Sequence, residues 1–102
     1  MIHDLSTLTI EDFEPLLHKT VPIRFTPDVT LDAELTELTR TGHVYTDGAR
    51  QPFSCIWRTQ QRNEYYPQAT FTMIHPEKGE MPVFLVPIGP DKEGMLYQTI
   101  FG

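Results

Sequence analysis

The stretch that most constrains the fold is residues 81–101, MPVFLVPIGPDKEGMLYQTIF, the densest apolar run in the chain. One break interrupts it, Gly-Pro-Asp-Lys-Glu-Gly over residues 89–94, and the break has the chemistry of a reversal. Gly89 and Gly94 can adopt positive φ, Pro90 presets φ for a turn, and Asp91 can accept nearby backbone amides. The pattern predicts a β-hairpin with arms at 83–88 and 95–101. Val83, Phe84, Leu85, Val86 and Ile88 are apolar on both parities. The first arm is therefore expected to be covered on both faces, by a sheet interior on one and a helix on the other.

Upstream of the hairpin the period is first helical, then two. In residues 1–18, Thr9 suits an N-cap, and Glu11 and Asp12 suit the positive end of a helix dipole. Leu8 and Phe13 have hydrophobic-staple spacing, and Phe13, Leu16 and Leu17 form an i, i+3, i+4 stripe. Pro15 limits or kinks this helix to two turns or slightly more. Beyond His18, Val21, Ile23 and Phe25 alternate with Pro22 and Arg24 as a half-buried strand. Pro22 has no N–H to give a ladder, which predicts an edge strand or one paired on a single side. Leu31, Ala33 and Leu35 continue the alternation until parity breaks at Leu38, the sign of a bulge near Thr36 and Glu37. Residues 42–52 read as a loop, 53–59 as a strand, 60–68 as a polar connection and 69–75 as a strand. Residues 76–79 then reverse into the terminal hairpin. The expected fold is mainly β: one domain over residues 1–102, with a short amino-terminal helix packed over an open end or face of an antiparallel meander of six to seven strands. The sheet spans residues 20–102 and curls into a barrel.

Composition narrows the function classes. Eight basic and 14 acidic residues give a formal charge of −6, which speaks against nucleic-acid binding through a general positive field. The single Cys55 cannot form an intramolecular disulfide. No basic n-region precedes an apolar stretch. The most apolar uncharged run, residues 81–90, is about half the length of a membrane-crossing helix and contains three prolines. The expectation is a cytoplasmic protein without membrane contact, with signal-independent export left open.

Several of these segments form one ordered set. Leu8, Thr9, Asp12, Phe13, Pro15 and Leu16 open it, and Pro67-Gln68 with His75, Pro76 and Gly79 stand in the middle. The ending runs from Phe84 through Leu85-Val86-Pro87-Ile88-Gly89-Pro90-Asp91 to Gly94, Met95 and Tyr97. The set resembles a family of small bacterial proteins catalogued only as a domain of unknown function, and the likeness covers essentially the whole chain. The resemblance implies a single β-rich domain with no activity, cofactor or catalytic residue to carry over. It also suggests an association with phage-tail-like or surface-fibre gene clusters.

The residues themselves offer few chemical constellations. Cys55 falls mid-strand between Phe53 and Trp57 on one predicted face, the setting of a buried thiol rather than an activated nucleophile. His3, His18, His43 and His75 lack ligand spacing, so no metal or other cofactor is expected. His75, before Pro76, suits a turn in which its ring bonds to nearby backbone. No carboxylate pair has catalytic character, and no catalytic residue is assigned. Tyr45, Arg50, Arg58, Arg62, Tyr65 and Tyr66 gather in the central third, on or beside the polar connections 42–52 and 60–68. Of these, Tyr45, Arg50, Arg62, Tyr65 and Tyr66 are the candidate interaction residues. In the competing reading, Tyr65 and Tyr66 close the core and the arginines lie over it. The expectation is a non-enzymatic accessory or interaction module whose partner is another protein. It would be a monomer or a weak homo-oligomer through an edge strand. The alternative is a small-molecule-binding or enzymatic barrel with a pocket near Cys55 and Trp57.

Overall fold

The computed structural model describes residues 8–41 and 52–101. Six antiparallel strands, β1 (Thr20–Thr26), β2 (Val29–Arg40), β3 (Phe53–Thr59), β4 (Ala69–His75), β5 (Gly79–Pro90) and β6 (Met95–Phe101), close into a barrel in the order β1-β2-β3-β6-β5-β4. The expected barrel is therefore present, as two three-stranded meanders. The 60–68 connection is not a hairpin link, because β3 pairs with β2 and β6 while β4 pairs with β5 and β1. It carries the chain from one meander to the other across an end of the barrel.

Side-chain alternation sets the interior. Val21, Ile23 and Phe25 of β1, Ala33 and Leu35 of β2, and Phe53, Cys55 and Trp57 of β3 are all buried. So are Met73 and His75 of β4, Met81, Val83 and Leu85 of β5, and Met95, Tyr97, Thr99 and Phe101 of β6. The parity break in β2 is a bulge: Leu35 pairs with Trp57 but Glu37 pairs with Ile56, so Thr36 is the extra residue. The Thr36 hydroxyl donates to the Ile56 carbonyl at 3.2 Å, and the shift turns Leu38 toward the core.

Two expectations are corrected, the edge position of β1 and the cover over the outer face of β5. β1 is not an edge, since it is hydrogen-bonded to both β2 and β4. Pro22 is tolerated because the β4 ladder is confined to Ile23–Met73 and Arg24–Thr72 and asks no N–H of it. The expected short amino-terminal helix is present, in 3₁₀ form: two turns, Ile10–Asp12 and Glu14–Leu16, meet at Phe13. Pro15 in the second turn limits it as expected. The segment is held by the Asp12 carboxylate accepting the Thr9 N–H at 2.8 Å, and by His18 N–H donating to the Leu35 carbonyl at 2.7 Å. Of the two placements expected for it, it takes the open end of the barrel and does not lie on the outside of β5. Phe13 is fully buried and its ring lies 5.3 Å from Phe101, 5.4 Å from His75 and 5.8 Å from Phe53. The outer face of β5 is consequently not covered by it. Phe84 and Ile88 point outward, 50% and 46% exposed.

The opposite end is closed by a second aromatic group. The Phe25 ring stacks on Tyr66 at 4.8 Å and meets Phe71 at 4.8 Å and Tyr97 at 5.4 Å. Offset and tilted ring pairs of this kind stabilise beyond their buried area.

Candidate functional site

The residues weighed for chemistry are locked into the fold. Cys55 is fully buried, and burial pushes its thiol up to about 12, so almost no nucleophilic thiolate exists near neutral pH. His75 has both ring nitrogens engaged. Nδ1 accepts the backbone N–H groups of Glu77 at 3.0 Å and Lys78 at 3.1 Å, which leaves the proton on Nε2 to donate to the Asp12 carbonyl at 2.8 Å. The expected turn role is thus present, with one addition: the same ring ties the β4–β5 turn to the end plug. Lys78 pairs with Asp12 at 3.4 Å. Burial raises the Asp12 carboxyl, but the Thr9 N–H and Lys78 outweigh it and hold the group below the usual carboxylate range. Trp57, fully buried, and Cys55 line neither of the two concave surfaces described below. His18 occupies the bend before β1 with φ 68°. Among the described residues no three His, Cys, Asp or Glu side chains converge as a metal site would require, and no helix is long and apolar enough to cross a membrane.

Of the five candidate interaction residues, Tyr45 and Arg50 lie outside the described residues. The other three divide in role. Tyr66 closes the core: its ring stacks on Phe25 and its N–H donates to the Tyr97 hydroxyl at 3.0 Å. That hydroxyl donates to Gln61 Oε1 at 2.7 Å, and the Thr59 hydroxyl donates to the same oxygen at 2.9 Å. The buried Gln61 thereby fixes the start of the connection against β3 and β6. Arg62 is exposed and donates to the Lys92 carbonyl at 2.7 Å, tying the connection to the β5–β6 turn. Tyr65 is the outward member, 59% exposed.

Beside this connection lies a charged corner. Arg58 leaves the outer face of β3 and meets three carboxylates: Asp91 at 2.9 Å, Glu93 at 3.0 Å and Glu34 at 3.2 Å. Glu34 is its cross-strand partner on β2, and the other two come from the β5–β6 turn. The turn is set by Asp91, whose Oδ1 accepts the Glu93 and Gly94 N–H groups at 2.8 and 2.9 Å. Those amides, above all that of Glu93, hold its carboxyl below the ordinary range despite desolvation, with help from Arg58. Gly89 has φ 116°, as a turn glycine should, but Gly94 serves a different need. A Cβ there would lie 1.7 Å from the Thr59 carbonyl oxygen, so only glycine lets the turn close onto β3. From the corner a polar groove of about 540 Å³ runs past Asp32, Thr30 and Thr20 on one side and Gln60 and Glu64 on the other. A second hollow, about 670 Å³, opens where β1 and β4 diverge beside Phe25 and Phe71.

The outer wall of β3, β6 and β5 continues from the same corner and is apolar. Leu96 is the cross-strand neighbour of Arg58, and Ile56, Gln98 and Val86 form the next row across the three strands. Ile88, the extra residue of a β5 bulge between Pro87 and Gly89, projects 46% exposed; farther along the wall Phe84 on the same strand is 50% exposed and Ile100 on β6 is 64% exposed. Sequence reasoning read the β5 arm, Phe84 and Ile88 included, as covered on both faces. The signal available was the alternation of Met81, Val83 and Leu85, which already completes an inward face and leaves Phe84 the other side.

Fold and surface together define a small β-barrel whose interior is filled by side chains from all six strands and whose distinctive chemistry lies outside. The chain belongs to the family described as domain of unknown function DUF6916, whose model matches residues 8–101. No curated protein and no solved structure matches it.

Proposed function

We propose that this domain is a non-enzymatic protein-interaction module that works through its outer wall rather than through a pocket. The observation that supports the reading best is the exposure of Phe84, Ile88 and Ile100 on the outside of the paired strands β5 and β6, each about half exposed or more. Water-facing apolar groups gathered on one wall mark a surface that gains by being covered. Tyr65, on the connection bordering the charged corner, adds an exposed aromatic of the kind suited to interfaces. Locked Cys55 and His75 leave the interior without an activated group. The finer reading is an accessory role in a phage-tail-like or surface-fibre assembly, where such a domain would join larger components. The test is co-purification of the wild-type chain and a Phe84→Ser/Ile100→Ser variant, shown to be folded at the temperature used, from cells that make the protein. The reading expects a co-purifying protein that the variant loses. Identical sets from both would overturn it.

A further inference from the structure

Resting on that outer-wall reading, we infer the chemistry of the partner: a protein segment presenting apolar side chains together with lysine or arginine. The apolar wall and the charged corner are one continuous surface, since Leu96 of the wall is the cross-strand neighbour of Arg58. Within the corner one guanidinium is shared by Glu34, Asp91 and Glu93. A single cation cannot neutralise three carboxylates, so the corner keeps excess negative charge.

The groove leading away deepens this excess. Asp32 and Glu64 line it, and neither makes an ion pair among the described residues. Arg62 and Lys92 stand close by, on the connection and the turn that they join. Even with both counted, five carboxylates face three cations. The wall has the opposite character. Ile56, Val86, Ile88, Phe84, Leu96 and Ile100 carry no charge, and Gln98 is the polar residue in their midst.

This pairing selects among occupants. A second copy brings its own formal charge of −6 and is repelled as it approaches. An acidic or purely polar partner gains nothing on the wall and loses at the corner. A partner that places aliphatic side chains over β5 and β6 and a cationic one in the corner gains at both. The apolar area supplies affinity, and the corner supplies orientation and rate of encounter.

The test uses the full chain, isotopically labelled for amide NMR, and three synthetic peptides of equal length. One is amphipathic with leucine and lysine, one has glutamate in place of lysine, and one has serine in place of leucine. Only the leucine–lysine peptide is expected to shift amides of β3, β5 and β6. Its affinity is expected to fall at least about tenfold in Phe84→Ser/Ile100→Ser and about fivefold in Asp32→Asn/Glu93→Gln. All four side chains face solvent or the groove, so both variants should stay folded: Asp32→Asn/Glu93→Gln should melt near wild type and Phe84→Ser/Ile100→Ser a few degrees lower, with binding measured well below every midpoint. Equal binding of the glutamate peptide overturns the cationic partner but leaves the outer-wall reading standing. Equal binding of the serine peptide, or shifts confined to other faces, overturns the wall as the docking surface. Absence of shifts with every peptide overturns the inferred partner, and the co-purification comparison then judges the outer-wall reading independently. Shifts on this wall that grow with protein concentration alone would make a second copy the occupant and overturn the inference.

Discussion

Phe84 and Leu85 are chain neighbours on β5 that face opposite ways, and the structure gives them opposite weight. Leu85 is fully enclosed in the core, while Phe84 keeps 50% of its surface in water. Truncating an enclosed leucine to alanine forfeits its transfer free energy and leaves a cavity, about 2–5 kcal/mol in all. Its β4 partner is Ala69, too small to swing into the void, which places Leu85→Ala at roughly 3 kcal/mol. Full burial of a phenylalanine is worth about 1.5–3 kcal/mol, so Phe84→Ala, from a half-exposed position, should cost roughly 1 kcal/mol. The gap of about 2 kcal/mol corresponds to a melting temperature difference on the order of 10 °C for a domain of this size. Urea melts of wild type and both single variants, with m-values compared, read the gap directly. If Phe84→Ala costs as much as Leu85→Ala, the outer face of β5 is covered in the folded protein, and the outer-wall proposal fails with the packing argument.

Three further outcomes are open to measurement. Cys55 should be inert to a thiol reagent in the native protein and react fully in denaturant. With its thiol pushed up to about 12, stability should also decline as pH rises above the unfolded thiol's value of about 8.5, by at most about 1.4 kcal/mol per pH unit; a flat profile there would count against enclosure. Gly94→Ala must push the β5–β6 turn off the Thr59 carbonyl and should cost roughly 2–4 kcal/mol in a thermal melt, whereas a neutral result would mean the turn sits farther from β3. Asp12, held below the usual carboxylate range, contributes stability that is present above the unfolded value of about 4 and is lost as pH falls through its folded value. Asp12→Asn should flatten the acid limb of urea midpoints below about pH 4, and an unchanged limb would remove this coupling between plug and turn.

The local parts of the fold were legible because local chemistry determines them. The 53–59 and 69–75 strands, the Thr36 bulge and the His75 turn follow from period, parity and turn residues within a few positions. What did not follow depends on pairings that only closure creates. β1 gains its second neighbour from β4, about fifty residues away, and nothing near Pro22 signals that. The apolar run in β5 was ambiguous for a physical reason: an inner wall and an outer wall that binds a partner have the same composition. The amino-terminal turns are 3₁₀ because Pro15 follows so soon after Thr9 that no α-helical ladder can establish itself. The charged corner was invisible too, since Arg58, Glu34 and Asp91 are brought together by register and a turn.

The turn at residues 89–94 illustrates why tests of function have to be kept apart from tests of fold. Gly89, at φ 116°, ends the bulge that turns Ile88 outward, and Gly94 lets the turn close on Thr59. Asp91 uses one carboxylate oxygen on the turn amides and the other on Arg58, so the turn that closes the hairpin also positions the corner. A substitution at Gly94 or Asp91 therefore disturbs stability, wall and corner at once, and a loss of binding from it would decide nothing. Phe84, Ile100, Asp32 and Glu93 differ because their side chains lie on the surface and none is needed to close the turn. Loss of binding on replacing them, measured where each variant is still fully folded, can only come from the surface itself.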